Sequence, residues 1–186
     1  ISLENNSLFN FEIGASDEMV DMACQIKPDW VCLVPEKREE KTTEGGLNLL
    51  DLETFKKIQS ASVRIKELTP QTKISLFVES QEQILIKVTE LKNFIDGVEI
   101  HTGDYANCFN KGRPVTSYFD EFKDGKKIIS ESGLSFHAGH GLTKDSLIPL
   151  VKLNLFSEYN IGHWIISESI FQGLGHVVKD LKRVLS

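Results

Sequence analysis

Six times along this chain a short apolar run is followed, after a turn, by a stretch with apolar residues at helical spacing, and that alternation leaves few folds open. SLFNFEIG leads into SDEMVDMACQIK, where Ser16 is an N-cap candidate. DWVCLVP follows, then a long polar, glycine-rich loop EKREEKTTEGGLN and a helix from Asp51 to Leu68. TKISLFVE leads to the helix SQEQILIKVTELK; IDGVEIHTG leads to an irregular stretch and a helix over Tyr118 to Ser132. GLSFHAG with TKDSLIPLVKL, and EYNIG with SESIFQGLGHVVKDLKRVL, complete the series. The strands read as near-continuous apolar runs, the pattern of a parallel sheet covered on both faces. No linker or composition break divides the 186 residues, so a single α/β domain over 1–186 is expected.

A doubly wound sheet and a (β/α)8 barrel both fit such a series. The placement of unusual polar residues favours the barrel. Glu12, Glu36, Glu99, His101, His140 and the Gly162-His163 pair all fall at or just past the C-terminal end of a different strand. In a barrel those ends converge on one mouth, whereas an open sheet spreads them along an edge. Six units do not close an eight-stranded barrel, so the expectation is strands 3 to 8 with their helices, the first two βα units being absent from the sequence.

Composition then narrows the partners. A formal net charge of −6 argues against nucleic acid, but not against small phosphorylated ligands held by local donors. No apolar run approaches a membrane span. Cys24, Cys32 and Cys108 form no CxxC pair, so neither a disulfide framework nor a zinc site is indicated. Cys32 reads as a small apolar residue of a buried strand, and a cytoplasmic location is expected.

Glu12 and Glu99 are carboxylates inside strands with apolar neighbours. The plain alternative is a core ion pair, yet no basic residue lies within either run. A buried carboxylate without a fixed cation has a raised pKa, which suits proton transfer near neutral pH. His101 faces the same side as Glu99 if the strand continues, and a capping role is equally open to it. His140, between Gly139 and Gly141, reads as a histidine on an exposed turn with no bulk around it, which favours a functional role. His137 could be core or lining, and His176 a surface residue. Gly139, Gly141 and Gly162 mark the last two βα turns, where barrels often bind phosphate, with Thr143 and Ser167 as N-cap candidates. Lys37, Arg38, Thr42 and Thr43 in the long loop could contact an anion, although interleaved glutamates allow a surface ion-pair reading. Metal-ligand spacings such as HxH or HExxH are missing from the sequence.

Taken together, FNFEIG, LVPEKREEKTTEGGL, SLFVES, VEIHTGDYAN, AGHGLT and YNIGHWII resemble the pyridoxine 5'-phosphate synthase family of the deoxyxylulose-dependent vitamin B6 route, in the family's order and over nearly the whole chain. The resemblance implies a (β/α)8 barrel, a homo-octamer, and no metal or organic cofactor. It implies condensation of 3-amino-2-oxopropyl phosphate with 1-deoxy-D-xylulose 5-phosphate, releasing phosphate and water. By the same resemblance Glu12 is the general base, Glu99 the carboxylate that stabilises transition-state charge, and His140 the proton donor. Thr42 is a substrate contact, and Gly141, Gly162 and His163 form a phosphate cradle. Two earlier βα units of the family, which carry a further catalytic histidine and substrate-binding arginine and histidine, have no counterpart in the sequence. As a literal 186-residue molecule the chain is therefore expected to be inactive and poorly folded. The alternatives are another phosphate-binding barrel lyase or isomerase, which would need a buried Schiff-base lysine at a strand end, and an inactive barrel serving as an interaction module.

Overall fold

The computed structural model describes residues 7–36 and 45–185. In chain order the elements are β1 (Asn10–Ile13), α1 (Asp17–Ile26), β2 (Trp30–Leu33), α2 (Leu52–Leu68), β3 (Lys73–Val78), α3 (Glu82–Thr89) and β4 (Gly97–His101). They continue with α4 (Gly103–Asn110), α5 (Thr116–Glu131), β5 (Ser135–Gly139), α6 (Lys144–Leu153), β6 (Glu158–Asn160), α7 (His163–Gln172) and α8 (Leu174–Leu185). The six strands form one parallel sheet in sequence order, β1 to β6. No helix among the described residues is long and apolar enough to cross a membrane.

The sheet is curled. Flat strands two and three places apart would lie about 10 and 14 Å from one another. Yet the Cys32 thiol on β2 reaches the Glu99 carboxylate on β4 at 3.6 Å, and the rings of Trp30 on β2 and His137 on β5 meet at 5.2 Å. Side chains on the inner face therefore converge, and the helices pack outside.

That curl corrects the reading of the strands as apolar on both faces. Alternate residues divide them sharply. Ile13, Val31, Leu33, Ile74, Leu76, Val78, Val98, Ile100, Phe136 and Ala138 face the helices and build the core. The inner register instead runs Glu12, Cys32, Ser75 along the first three strands and Glu99, His137, Glu158 along the last three. Apolar residues are frequent enough on both faces to blur this alternation in the sequence.

Local sequence explains several boundaries. Ser16 caps α1, the Asp51 carboxylate accepts the Thr54 N–H at 2.8 Å to cap α2, and Thr143 with Ser146 forms a capping box on α6. Two expectations need correction. The stretch after β4, read as irregular, contains α4, held by buried Tyr105, whose hydroxyl donates to the Ser146 carbonyl at 2.7 Å. Ser167 is not an N-cap: α7 already starts at His163 behind Gly162, and Gly173 at φ 81° separates it from α8.

The two ends of the sheet differ in chemistry. At the N-terminal end, Asp96 accepts from Lys66 at 2.6 Å and from the Ile74 N–H at 2.8 Å, while Thr72 donates to the Pro28 carbonyl at 2.8 Å. These bonds tie strand starts to neighbouring turns. The opposite end carries the carboxylates and imidazoles.

Candidate active site

β4 delivers the centre of the site. Glu99 is 3% exposed, and its Oε2 accepts from the Asn160 amide at 2.6 Å and from the Cys32 thiol. Burial pushes its pKa up to about 7; the Asn160 bond works against that shift and the nearby charge of Glu12 adds to it. Glu99 is thus placed to give or take a proton near neutrality. Cys32 is buried as expected, but its thiol, raised well above its usual pKa by burial first and the Glu99 charge next, serves as a neutral donor to Glu99.

Gly139 exists to accommodate that carboxylate. A Cβ at residue 139 would lie 1.8 Å from Glu99 Oε1, closer than any packing allows. We expect Gly139→Ala to expel Glu99 from its place and to cost about 1–3 kcal/mol, the range for overpacking a filled site. Thermal melts of Gly139→Ala and of Gly139→Ala with Glu99→Ala test this. The second change should restore stability, and equal melting of the two variants would refute the clash.

His140 occupies a backbone turn at φ 77°. Thr102 holds the turn: its hydroxyl donates to the carbonyls of Gly139 at 2.7 Å and His140 at 2.9 Å, and its N–H bonds Gly139 again at 2.8 Å. The expectation of an open turn without neighbours is corrected. His140 is half-buried, with the His101 ring at 5.0 Å and the Phe77 ring at 6.3 Å. Gly141 at φ 73° continues the turn, where a Cβ would come 3.1 Å from the Gly103 backbone.

His101 is no loop cap. Its Nδ1 is 2.9 Å from Glu79 Oε1, an oxygen that also accepts the Gly46 N–H at 2.9 Å. Burial acts to raise the Glu79 pKa, but the bonds from His101 and Gly46 and the charges of His101 and His140 outweigh it and hold the group below the usual carboxylate range.

Glu12 stands on β1 at the sheet edge and is exposed, so the burial argument made for both glutamates holds for Glu99 alone. It nevertheless faces the same cleft. That cleft, of about 820 Å³, brings together Glu12, Glu99, His140, Gly141, Gly162 and His163. Gly162 and His163 open α7, which no side chain caps, whereas α6 satisfies its own first turn through Thr143 and Ser146. Among the described residues, then, no side chain caps the first N–H groups of α7, the arrangement that suits an anion.

Thr42, Lys37, Arg38 and Thr43 lie outside the described residues. Glu36 is a surface residue paired with Lys57 at 2.6 Å, and His176 is an exposed neighbour of Asp180 on α8. His137 lines the inner face against Trp30, its pKa lowered chiefly by burial. Glu79 and Asn160 escaped the sequence reading. Both stand where a polar residue ends an apolar strand, in SLFVES and EYNIG, which was the available signal.

Comparison with known proteins gives one family. The family described as pyridoxal phosphate biosynthesis protein PdxJ matches residues 2–186. The chain is 34% identical to a pyridoxine 5'-phosphate synthase of Caulobacter sp. (strain K31), with 98% of this chain and 71% of that protein covered. It is 39% identical to the enzyme so named in Blochmanniella floridana, with 95% and 68% covered. For the one in Wolbachia pipientis subsp. Culex pipiens the identity is 38%, with 95% and 72% covered.

Proposed function

The chain belongs to the pyridoxal phosphate biosynthesis protein PdxJ family, and from that premise we propose that it is a pyridoxine 5'-phosphate synthase condensing 3-amino-2-oxopropyl phosphate with 1-deoxy-D-xylulose 5-phosphate. The observation that carries the reading is the buried Glu99, with a pKa of about 7, in one cleft with His140 and the uncapped start of α7. Joining an amine to a ketone and closing a ring requires several proton transfers at different atoms, and separated groups around one mouth supply them.

In this reading Glu12, exposed at the cleft's edge, removes a proton from carbon. His140 gives one to the oxygen that leaves as water. Glu99 offsets the charge that develops between them. Gly162 and His163 take a substrate phosphate at the α7 N-terminus, with Gly141 beside it, and Thr42 contacts substrate from the long loop. No metal or organic cofactor is assigned a step. The six strands correspond to strands 3 to 8 of a (β/α)8 barrel forming one domain, consistent with a chain that spans 71% of its Caulobacter relative. Homo-octameric assembly in the cytoplasm belongs to the same proposal, and light scattering of the purified protein tests the assembly.

Turnover decides the function. The protein, with any βα units that precede residue 1, should develop the absorbance of pyridoxine 5'-phosphate when incubated with both substrates. Glu12→Gln should lower kcat by about 10²-fold or more, as loss of a general base does, with little change in KM. An absence of product, or full activity in both Glu12→Gln and His140→Ala, would overturn the assignment.

A further inference from the structure

We propose that Glu79 and His101 act as a positioning pair that fixes the imidazole of His140 for proton transfer, a role resting on the synthase reading above. Three observations converge on it. First, Glu79 Oε1 receives both the His101 ring nitrogen and the Gly46 N–H at 2.9 Å. An ionised carboxylate only accepts hydrogen bonds, so Nδ1 of His101 carries the proton and, in the neutral ring, Nε2 carries the lone pair. Second, the His101 side chain is 10% exposed and packed edge-on to Phe77 at 5.4 Å, which together with the Glu79 bond restrains the ring.

Third, the backbone leaves space for the two imidazoles to meet. A Cβ at Gly103 would lie 2.5 Å from His101 Nε2 and 3.0 Å from His140 Cδ2, so glycine there is what lets both rings approach. The line from carboxylate to His101 to His140 follows the logic of a base oriented by a third group, with His101 acting through its neighbour rather than on substrate. Thr102, next in sequence, fixes the His140 backbone while His101 fixes its ring. One strand end, His101-Thr102-Gly103, thereby governs both.

Glu79 also anchors Gly46, and the test must separate these duties. Glu79→Gln retains an oxygen for the Gly46 N–H and removes the negative charge that faces His101. In the protein, Glu79→Gln should lower kcat by about 10²-fold, the loss expected of a misplaced catalytic group, while KM for both substrates stays nearly constant. Glu79→Asp, which keeps the carboxylate, should recover part of that loss. Nitrogen-15 spectra of the wild-type histidines should show His101 in the Nδ1–H form. A Glu79→Gln variant with wild-type kcat, or one changed in KM alone, overturns the pair while leaving the synthase reading intact. A wild-type protein without turnover overturns the synthase reading, and the spectrum then judges the pair alone: His101 in the Nε2–H form refutes it in every case.

Discussion

Glu99→Gln should melt at a higher temperature than the wild type above pH 7 and at nearly the same temperature below about pH 5, while losing most of its activity. The reason is the displaced carboxyl. Its folded pKa of about 7 stands above the ordinary 4.5, with burial the main cause. Folding thus favours the protonated form. Between those two values the unfolded chain is ionised and the folded chain is not, so stability falls as pH rises. The stabilisation held by neutral Glu99 is complete below the unfolded value and gone once pH passes through 7. A displacement of that size is worth on the order of 3 kcal/mol. Glutamine stays neutral at every pH, and its oxygen, in the place of Oε2, can still accept from both Asn160 and Cys32. In a chain of this length such a gain raises Tm by roughly 6–12 °C. The same change removes the charge that would meet the transition state, so kcat should fall by about 10²–10³-fold. Melting curves across pH, paired with turnover, read both effects. A Glu99→Gln variant less stable than wild type above pH 7 would contradict the burial argument, and one with full kcat would remove Glu99 from the mechanism.

His140 offers the second large effect, because its backbone and its ring can be separated. A non-glycine residue at φ 77° carries strain that glycine does not. His140→Gly should relieve it and eliminate the imidazole; His140→Ala should eliminate the imidazole and keep the strain. Both variants should lose about 10²–10⁴-fold in kcat, the contribution of a positioned acid. They should differ in stability by about 1 kcal/mol in favour of glycine, or roughly 2–4 °C in Tm. If alanine is the more stable, the turn is not strained; if glycine retains activity, another group donates the proton.

Much of this is legible in the sequence. The alternation of apolar runs and helical spacing announces a parallel α/β sheet because each strand must return through a helix on its outer face. Of the residues placed at strand ends, Glu12, Glu99, His140, Gly162 and His163 line one cleft together with Gly141, whereas Glu36 pairs with Lys57 at the surface and His101 bonds Glu79. Such residues stand out because a carboxylate or imidazole that closes an apolar strand has no packing reason to be there. Glu79 was less legible: as one glutamate among many in an acidic chain, nothing in its spacing announced a partner 22 residues later.

The sequence by itself determined the order of the elements, the kind of sheet and the family, since those follow from periodicity and from motifs local along the chain. Only the tertiary structure decided what each residue does to its neighbours. Curling of the sheet set Cys32 and Asn160 against Glu99, although 67 and 61 residues separate them from it. It buried Glu99 and left Glu12 exposed, a difference two similar strand motifs did not contain. It also changed the meaning of Gly139, from a turn residue beside His140 to the space that the Glu99 carboxylate occupies. Desolvation, like-charge contact and steric room all depend on distances through space, and a chain acquires those only when distant strands are brought onto one concave face.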